Sequence, residues 1–357
     1  MLPKSRKGGT GKGLKEPPLP ATIKSKGPLM NIHEIAKQAN VSIATVSRVL
    51  NNKPNISPKT YKKVMDVLRE TGYSPNAIAR GLKHNSMNMI GIVVDDIRNL
   101  YRAHVIYHLE DLLSRQGYTT IVFNACTKGE TLFSLLSQHQ FDSLIFVGSS
   151  LSTQDVSHFI ASSCSQKPVL MFNGYVGLPN VISVICDEAR GMQMMADHIY
   201  RTGKRRFLYV NYGQNLASQR KLSGFRGKLS ELNLEFSDSH VFEAPSDDFE
   251  GGCKAGQAII DSGIPFDAVL CSLDLPAMGV IQVLRQYGYS IPADVSVSGF
   301  DNLIYGKLTP PFLTSVDGKI QELADIAVEK LVAALAGEEV SHEPYSISPS
   351  LYLGGTT

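Results

Sequence analysis

The chain has 357 residues, 43% of them hydrophobic, with a formal charge of +2 and five cysteines, enough apolar material for more than one core. No apolar run is long enough to span a membrane, and the basic, glycine-rich start lacks the apolar segment of an export signal, so a cytoplasmic protein is expected. Cys126, Cys164, Cys186, Cys253 and Cys271 are scattered and odd in number, without metal or redox spacing, so core thiols are expected, with one reactive thiol left open.

Charge is unevenly distributed along the chain. Residues 1–29 carry Lys4, Arg6, Lys7, Lys12, Lys15, Lys24 and Lys26 against Glu16 alone, about +6 in all. Residues 30–86 add a similar excess, about +6, so the remainder is acidic, near about −10. An ordinary solvated surface mixes its signs, whereas clustered positive charge is rewarded by counterion release from phosphates. The stretch 1–29 has almost no large apolar groups and reads as a disordered basic tail. Its GGTGKG run, Gly8 to Gly13, fails as a phosphate-binding loop because no hydrophobic strand precedes it and no Ser or Thr follows Lys12.

Residues 30–51 read as two short helices joined by a tight turn. The first runs from about Ile32 to Ala39, with Ile32, Ile35, Ala36 and Ala39 on one face. Asn40 stands where the turn needs a left-handed backbone, which asparagine tolerates. Ser42 is placed to cap the second helix, from which Val46, Val49 and Leu50 turn inward and Ile43, Ala44, Ser47 and Arg48 outward. A small residue beside an apolar one suits a thymine methyl, and Arg48 offers a fork to guanine O6 and N7. The pattern taken alone also fits a surface helix of another small bundle. Ser57-Pro58 then opens a third helix whose Tyr61, Val64, Met65 and Leu68 complete a core. Ser74-Pro75-Asn76 starts a further short helix, AIARGLKH, just before the first strand of a larger domain.

From Asn88 onward apolar runs alternate with helical patterns. MIGIVV precedes a helix near 99–116, TTIVFN one near 130–139 and SLIFVG one near 153–164, and PVLMFN follows. A second series runs from RRFLYVN through a helix containing Lys221 to Leu232, FEGGCKAGQAIIDSG, FDAVLCS, LPAMGVIQVLRQYG and VSVSGF. Alternation of this kind implies parallel sheets with helices on both faces, and two series imply two lobes with a cleft between them. A helix near 319–336 and a strand near 344–353 come last. Ligands of open sheets bind outside the carboxyl ends of the strands, so the cleft is the expected ligand site.

VSIATVSRVLN, SPKT, GYSPNAIARGL and IGIVVDD, in that order and spacing, resemble the LacI/GalR family of bacterial transcriptional regulators. The resemblance covers about residues 30 to 355 and implies an α/β chain with an all-α helix-turn-helix headpiece over 30–75. A hinge helix and linker over 76–87 would follow, then a two-lobed, periplasmic-binding-protein-like core of parallel sheets over 88–357. The lobes would divide as about 88–187 with 317–340 and about 188–316 with 341–355. It implies that Ile43, Ala44 and Arg48 read bases, with Ser42, Thr45, Ser47 and Asn55 near bases or phosphates. The hinge helix, Asn76 to Lys83, would lie in the minor groove, with Asn76 and Ala79 against DNA and Leu82 wedged into the central base step, a kinking device that costs unstacking. For Leu82 the other reading is an ordinary core leucine. So short a helix is unstable alone and would form on DNA beside its dimer mate. Met30 stands where related chains would begin, so an upstream-assigned start and a working basic arm are both open for the tail.

In the cleft the resemblance implies effector contacts at Tyr101, Arg102, Asn173, Ser218, Arg220, Lys221, Asp274 and Asp301. Several positions depart from the family pattern. Leu273 replaces an asparagine, Lys221 an arginine, NLYR the usual Asn-Pro-aromatic-aromatic loop, and Asn173-Gly174 lacks a following arginine. Lysine for arginine trades a bidentate fork for a flexible point charge. Convergence of Arg102, Arg220 and Lys221 would favour a sugar acid or sugar phosphate; surface arginines would not.

The expectation is a homodimeric, sequence-specific regulator of carbohydrate-related genes, a repressor, bound to a near-palindromic operator and controlled by a small-molecule effector. No membrane partner and no cofactor are expected. The alternative is a two-lobed small-molecule receptor without DNA-dependent function, which as a transport receptor would need an export signal and no basic helix-turn-helix. An enzyme would need a nucleophile elbow or a cofactor loop. Neither G-x-S-x-G nor G-x-G-x-x-G follows a strand, and the nine histidines form no H-E-x-x-H pair.

Overall fold

The computed structural model describes residues 31–50, 54, 56–71, 86–128, 131–308, 310–339, 341 and 343–357. The expected tail and hinge helix lie outside the described residues. The chain divides into two compact units at Arg80 and Gly81.

The first unit holds α1 (Ile32–Gln38), α2 (Ile43–Leu50) and α3 (Pro58–Thr71). Asn31 caps α1 by accepting from His33 and Glu34 N–H at 2.9 and 3.1 Å, while the Glu34 carboxylate accepts from Asn31 N–H at 2.7 Å. This reciprocal box satisfies donors that a helix start otherwise leaves orphaned. Asn40 takes φ 49°, the left-handed turn its short side chain tolerates. Ser42 Oγ then accepts from Thr45 N–H at 3.1 Å to open α2, and Ser57 Oγ does the same for Thr60 at 3.2 Å to open α3. The core is Ile35, Ala36, Ala39, Val46, Val49, Val64, Val67 and Leu68. The stripe of α3 is rotated from the expected one: Val67 is buried, while Tyr61 stays 42% exposed.

The second unit contains two six-stranded sheets. The first has the order β2-β1-β3-β4-β5-β11, built from β1 (Met89–Val94), β2 (Thr119–Asn124), β3 (Ser143–Val147), β4 (Val169–Phe172), β5 (Val181–Cys186) and β11 (Tyr345–Ile347). Its pairings are all parallel, Ile92 opposite Ile145 and Phe146 opposite Met171 among them. The strands are nearly continuous apolar runs because both faces are covered. On one face α4 (Leu100–Arg115) and α12 (Ile320–Leu335) pack Leu109, Leu113, Leu323 and Leu331 against Ile90 and Ile92. On the other, α6 (Thr131–Gln138) and α7 (Gln154–Ser163) pack Leu136, Phe159 and Ile160 against Phe146 and Met171. A four-residue α5 (Ala125–Lys128) follows β2.

The second sheet repeats that order as β7-β6-β8-β9-β10-β12, from β6 (Phe207–Asn211), β7 (Val241–Glu243), β8 (Ala268–Cys271), β9 (Ser296–Phe300), β10 (Thr314–Asp317) and β12 (Ser350–Tyr352). Only β12 runs antiparallel. Helices α8 (Glu188–Arg201) and α9 (Leu216–Glu231) cover one face, and α10 (Phe249–Ser262) and α11 (Asp274–Gln286) the other. The last two cross at glycines: a Cβ on Gly252 would sit 2.1 Å from the Pro276 carbonyl oxygen. Among the described residues no helix is long and apolar enough to cross a membrane.

Sequence periodicity did not reveal β5, α8, β7 or β10. The segment 344–353, expected as one strand closing the second lobe, is two strands in two sheets. Pro349 between them has no N–H to extend a ladder, and the chain there leaves β11 in the first sheet for β12 in the second. The chain thus passes between lobes three times, after β5, β10 and β11.

Candidate nucleic-acid surface and ligand cleft

In the first unit α2 carries a sharp division of labour. Val46 and Val49 are buried, and Ser42, Ile43, Ala44 and Arg48 are exposed, with Thr45 and Ser47 half-buried beside them. Ile43 leaves 40% of its surface in solvent although a buried core lies behind it. Isolated exposed apolar residues are common, but here one adjoins a small residue and a guanidinium on the exposed side of the helix, kinds of group that suit a major-groove edge. Ser42 has a structural task as well, its hydroxyl lying 2.8 Å from that of Thr45 while it caps the helix. Asn55, Asn76, Ala79 and Leu82 lie outside the described residues.

In the second unit a cavity of about 740 Å³, open solvent at its mouth included, lies between the lobes at the carboxyl ends of both sheets. It brings together Tyr101, Arg102, Asn173, Ser218, Lys221 and Asp301, six of the eight effector positions expected from sequence. The first lobe supplies a neutral wall. Asn173, at φ 50°, donates through its side-chain amide to the Tyr101 hydroxyl and accepts from Cys186 N–H at 2.9 Å. The Arg102 guanidinium is neutralised by an ion pair with Asp95, which also accepts from the Ser150 hydroxyl at 2.5 Å.

The second lobe supplies charge. Lys221 is only 6% exposed; its ammonium donates to the Ser272 carbonyl at 2.9 Å and stands 3.7 Å from the centre of the Phe300 ring. Asp301 follows β9 at φ 105°, a backbone conformation rare outside glycine. Burial pushes its carboxyl up to about 6, against the pull of Lys221 and Arg102. Glu188 lines the cavity from the first turn of α8 with 2% of its surface exposed, and burial raises its carboxyl as well, opposed by Lys221 and Arg220. Asp247 is the third carboxylate on the wall.

Two expected positions stand apart from the cavity lining. Arg220 pairs instead with Glu188 at 3.5 Å. Asp274 is 1% exposed and accepts from the Ser315 hydroxyl and from Leu303 N–H, both at 2.6 Å. Burial, reinforced by Asp301, pushes its carboxyl well above the usual range. It ties down the loop that carries Asp301 rather than facing a ligand. Arg102 and Lys221 line the cavity while Arg220 does not, so the three bases do not all converge. Ser149, Glu188, Tyr212, Asn215, Asp247 and Phe300 line the site without having been singled out from sequence.

Polar contacts close the cleft across the lobes. The Asn99 amide donates to Asp247 at 2.6 Å, and the Ser149 hydroxyl donates to Asn215 Oδ1 at 2.9 Å. Asn99 also caps α4, its oxygen accepting from Arg102 N–H at 3.1 Å. One side chain thus sets the helix start and bridges the lobes.

Two family models match: bacterial regulatory proteins of the lacI family over residues 31–76, and the periplasmic binding protein-like domain over residues 196–357. An HTH-type transcriptional regulator of Lachnoclostridium phytofermentans is 32% identical over 334 residues, 92% of this chain and 99% of the relative. Catabolite control protein A of Priestia megaterium is 27% identical over 316 residues, 87% of this chain and 94% of the relative. In fold, the chain resembles the lac repressor dimer bound to operator and the anti-inducer ONPF, with a TM-score of 0.81, 22% identity and coverage of 92% and 99%. The regulator CelR in complex with cellobiose gives 0.70 at 23% identity, covering 92% and 100%.

Proposed function

This chain belongs to the lacI family of bacterial regulatory proteins, DNA-binding transcriptional regulators, and from that premise we propose a repressor that reads a near-palindromic operator as a homodimer and answers to a neutral, hydroxyl-rich ligand in its cleft. The observation that carries the DNA reading is the outward set Ile43, Ala44 and Arg48 on α2, backed by buried Val46 and Val49. The lac repressor structure with operator and the CelR structure with cellobiose support the two halves of the proposal by analogy.

The charge of the cleft argues for a neutral ligand. With Arg102 matched by Asp95 and Arg220 by Glu188, Lys221 is, among the described residues, the lining cation not matched by such an ion pair, and it shares the wall with Asp247 and Asp301, one carboxylate in excess. An acid entering that wall would meet the surplus carboxylate, whereas sugar hydroxyls can donate to it. Tyr101, Tyr212 and Phe300 supply apolar surface for a ring. This reading displaces the sugar acid or sugar phosphate that converging bases would have favoured. Ligand and operator affinities must then change by reciprocal factors.

Selection of bound duplexes from a random pool tests the DNA half. A near-palindrome is expected, and Arg48→Ala should relax one G·C position, costing about 1–3 kcal/mol there. Absence of any preferred duplex would end the proposal. Calorimetric titration with neutral sugars and sugar acids tests the other half, and binding of acids alone would reverse it.

A further inference from the structure

We propose that His104 and His108, on the solvent side of α4, form a chelating site for a late first-row divalent cation such as zinc or nickel. The two histidines are four residues apart, which places them one above the other on a helix. Their Nε2 atoms lie 3.1 Å apart and their ring centroids 4.8 Å apart. Two imidazole nitrogens on one tetrahedral zinc, each at 2.0–2.1 Å, stand about 3.3 Å apart, so the rings need to open by only a few tenths of an ångström. The two nitrogens already face each other.

The surroundings fit this use. Val105 and Leu109 anchor α4 in the core of the first lobe, so the backbone beneath the pair is fixed and little entropy remains to be lost on chelation. Without a cation, one ring must donate to the other. Imidazole ligands select zinc, nickel and copper over magnesium or calcium. Among the described residues no group of three or more histidine, cysteine or carboxylate side chains could hold a metal, so water completes the coordination at this pair. The pair sits apart from the cleft lining, on the helix whose first turn carries Tyr101 and Arg102.

Calorimetric titration of the full chain, stripped of metal, with nickel or zinc chloride tests the site. The wild type should show one site per chain, weakened on the order of 100-fold by either His104→Gln or His108→Gln, because the second ligand is lost from an intramolecular pair. Both substitutions fall on the solvent side of α4, and thermal midpoints without metal should match the wild type. A second readout needs no variant: one equivalent of zinc should shift the imidazole nitrogen resonances of His104 and His108. Variants that titrate like the wild type, or those two resonances left unmoved, would overturn the assignment.

Discussion

The two lobes share one strand order, β2-β1-β3-β4-β5-β11 in the first and β7-β6-β8-β9-β10-β12 in the second, yet they face the cleft with opposite chemistry. The first presents amide, hydroxyl and a guanidinium already matched by Asp95; the second presents Glu188, Asp247 and Asp301 around one buried ammonium. Scaffolds of one strand order differ in the loops beyond their strand ends, where an open sheet leaves room for side chains to vary without disturbing the ladder. The neutral wall can orient a ligand through directional hydrogen bonds. The charged wall selects by penalising any ligand that leaves its carboxylates unsatisfied.

The strongest way to break this contrast is to remove the ammonium. Lys221→Met keeps the bulk of the stem but removes the ammonium that offsets the burial of Asp301 and Glu188, and a loss of about 3 kcal/mol in urea unfolding is expected, as for other buried charges stripped of a partner. Unchanged stability would mean the second wall is not electrostatically organised by Lys221.

Asp301→Asn should act in the opposite direction. The folded carboxyl titrates at about 6 against 3.8 unperturbed, so the folded state holds that proton more tightly than the unfolded chain does. The contribution of Asp301 to stability is full below 3.8 and is lost as pH rises through about 6. Asparagine removes the loss, so the variant should exceed the wild type by up to about 3 kcal/mol at neutral pH and by little near pH 4. An advantage independent of pH would point to packing instead of charge.

The smallest effect is expected at the seam between the walls. Asn99→Asp preserves the cap on α4 but sets a carboxylate against Asp247, replacing a 2.6 Å hydrogen bond with repulsion. Stability should fall by about 1 kcal/mol or less, while small-angle scattering of the ligand-free protein should report a larger radius of gyration. A radius equal to the wild type would show that the seam is held elsewhere.

Much of the scaffold was legible because local rules and the tertiary fold agree. The left-handed Asn40, the Ser42 and Ser57 caps and the inward Val46 and Val49 follow from residue chemistry alone. What escaped had a specific cause in each case. VISVIC follows β4 after a loop with no helix, which breaks the strand-helix rhythm used to find its neighbours. Helix α8 carries its stripe on Met192, Met195 and Ala196, a weaker apolar signal than leucine or valine gives. β7 spans only three residues, and β10, TSVD, has a single large apolar side chain.

The cleft was legible only where family resemblance pointed. Glu188, Asp247 and Asn215 lie on separate segments, and nothing local marks them as neighbours. Glu188 did leave one clue, an acid in the first turn after a strand, at the sheet end where ligands gather. Asp274 misled for the converse reason, since its role depends on Ser315 and Leu303, which sequence spacing does not reveal.

The three passages between lobes have a consequence for synthesis. Leu323 and Leu331 of α12 seal the first lobe's interior, and the edge strands β11 and β12 of both sheets come from residues 345–352. As the chain leaves the ribosome, the first lobe's core waits, unsealed, until five strands of the second lobe have been made and residues 320–347 follow. A chain cut before residue 320 would therefore leave Ile90, Ile92 and Leu109 without the helix that covers them.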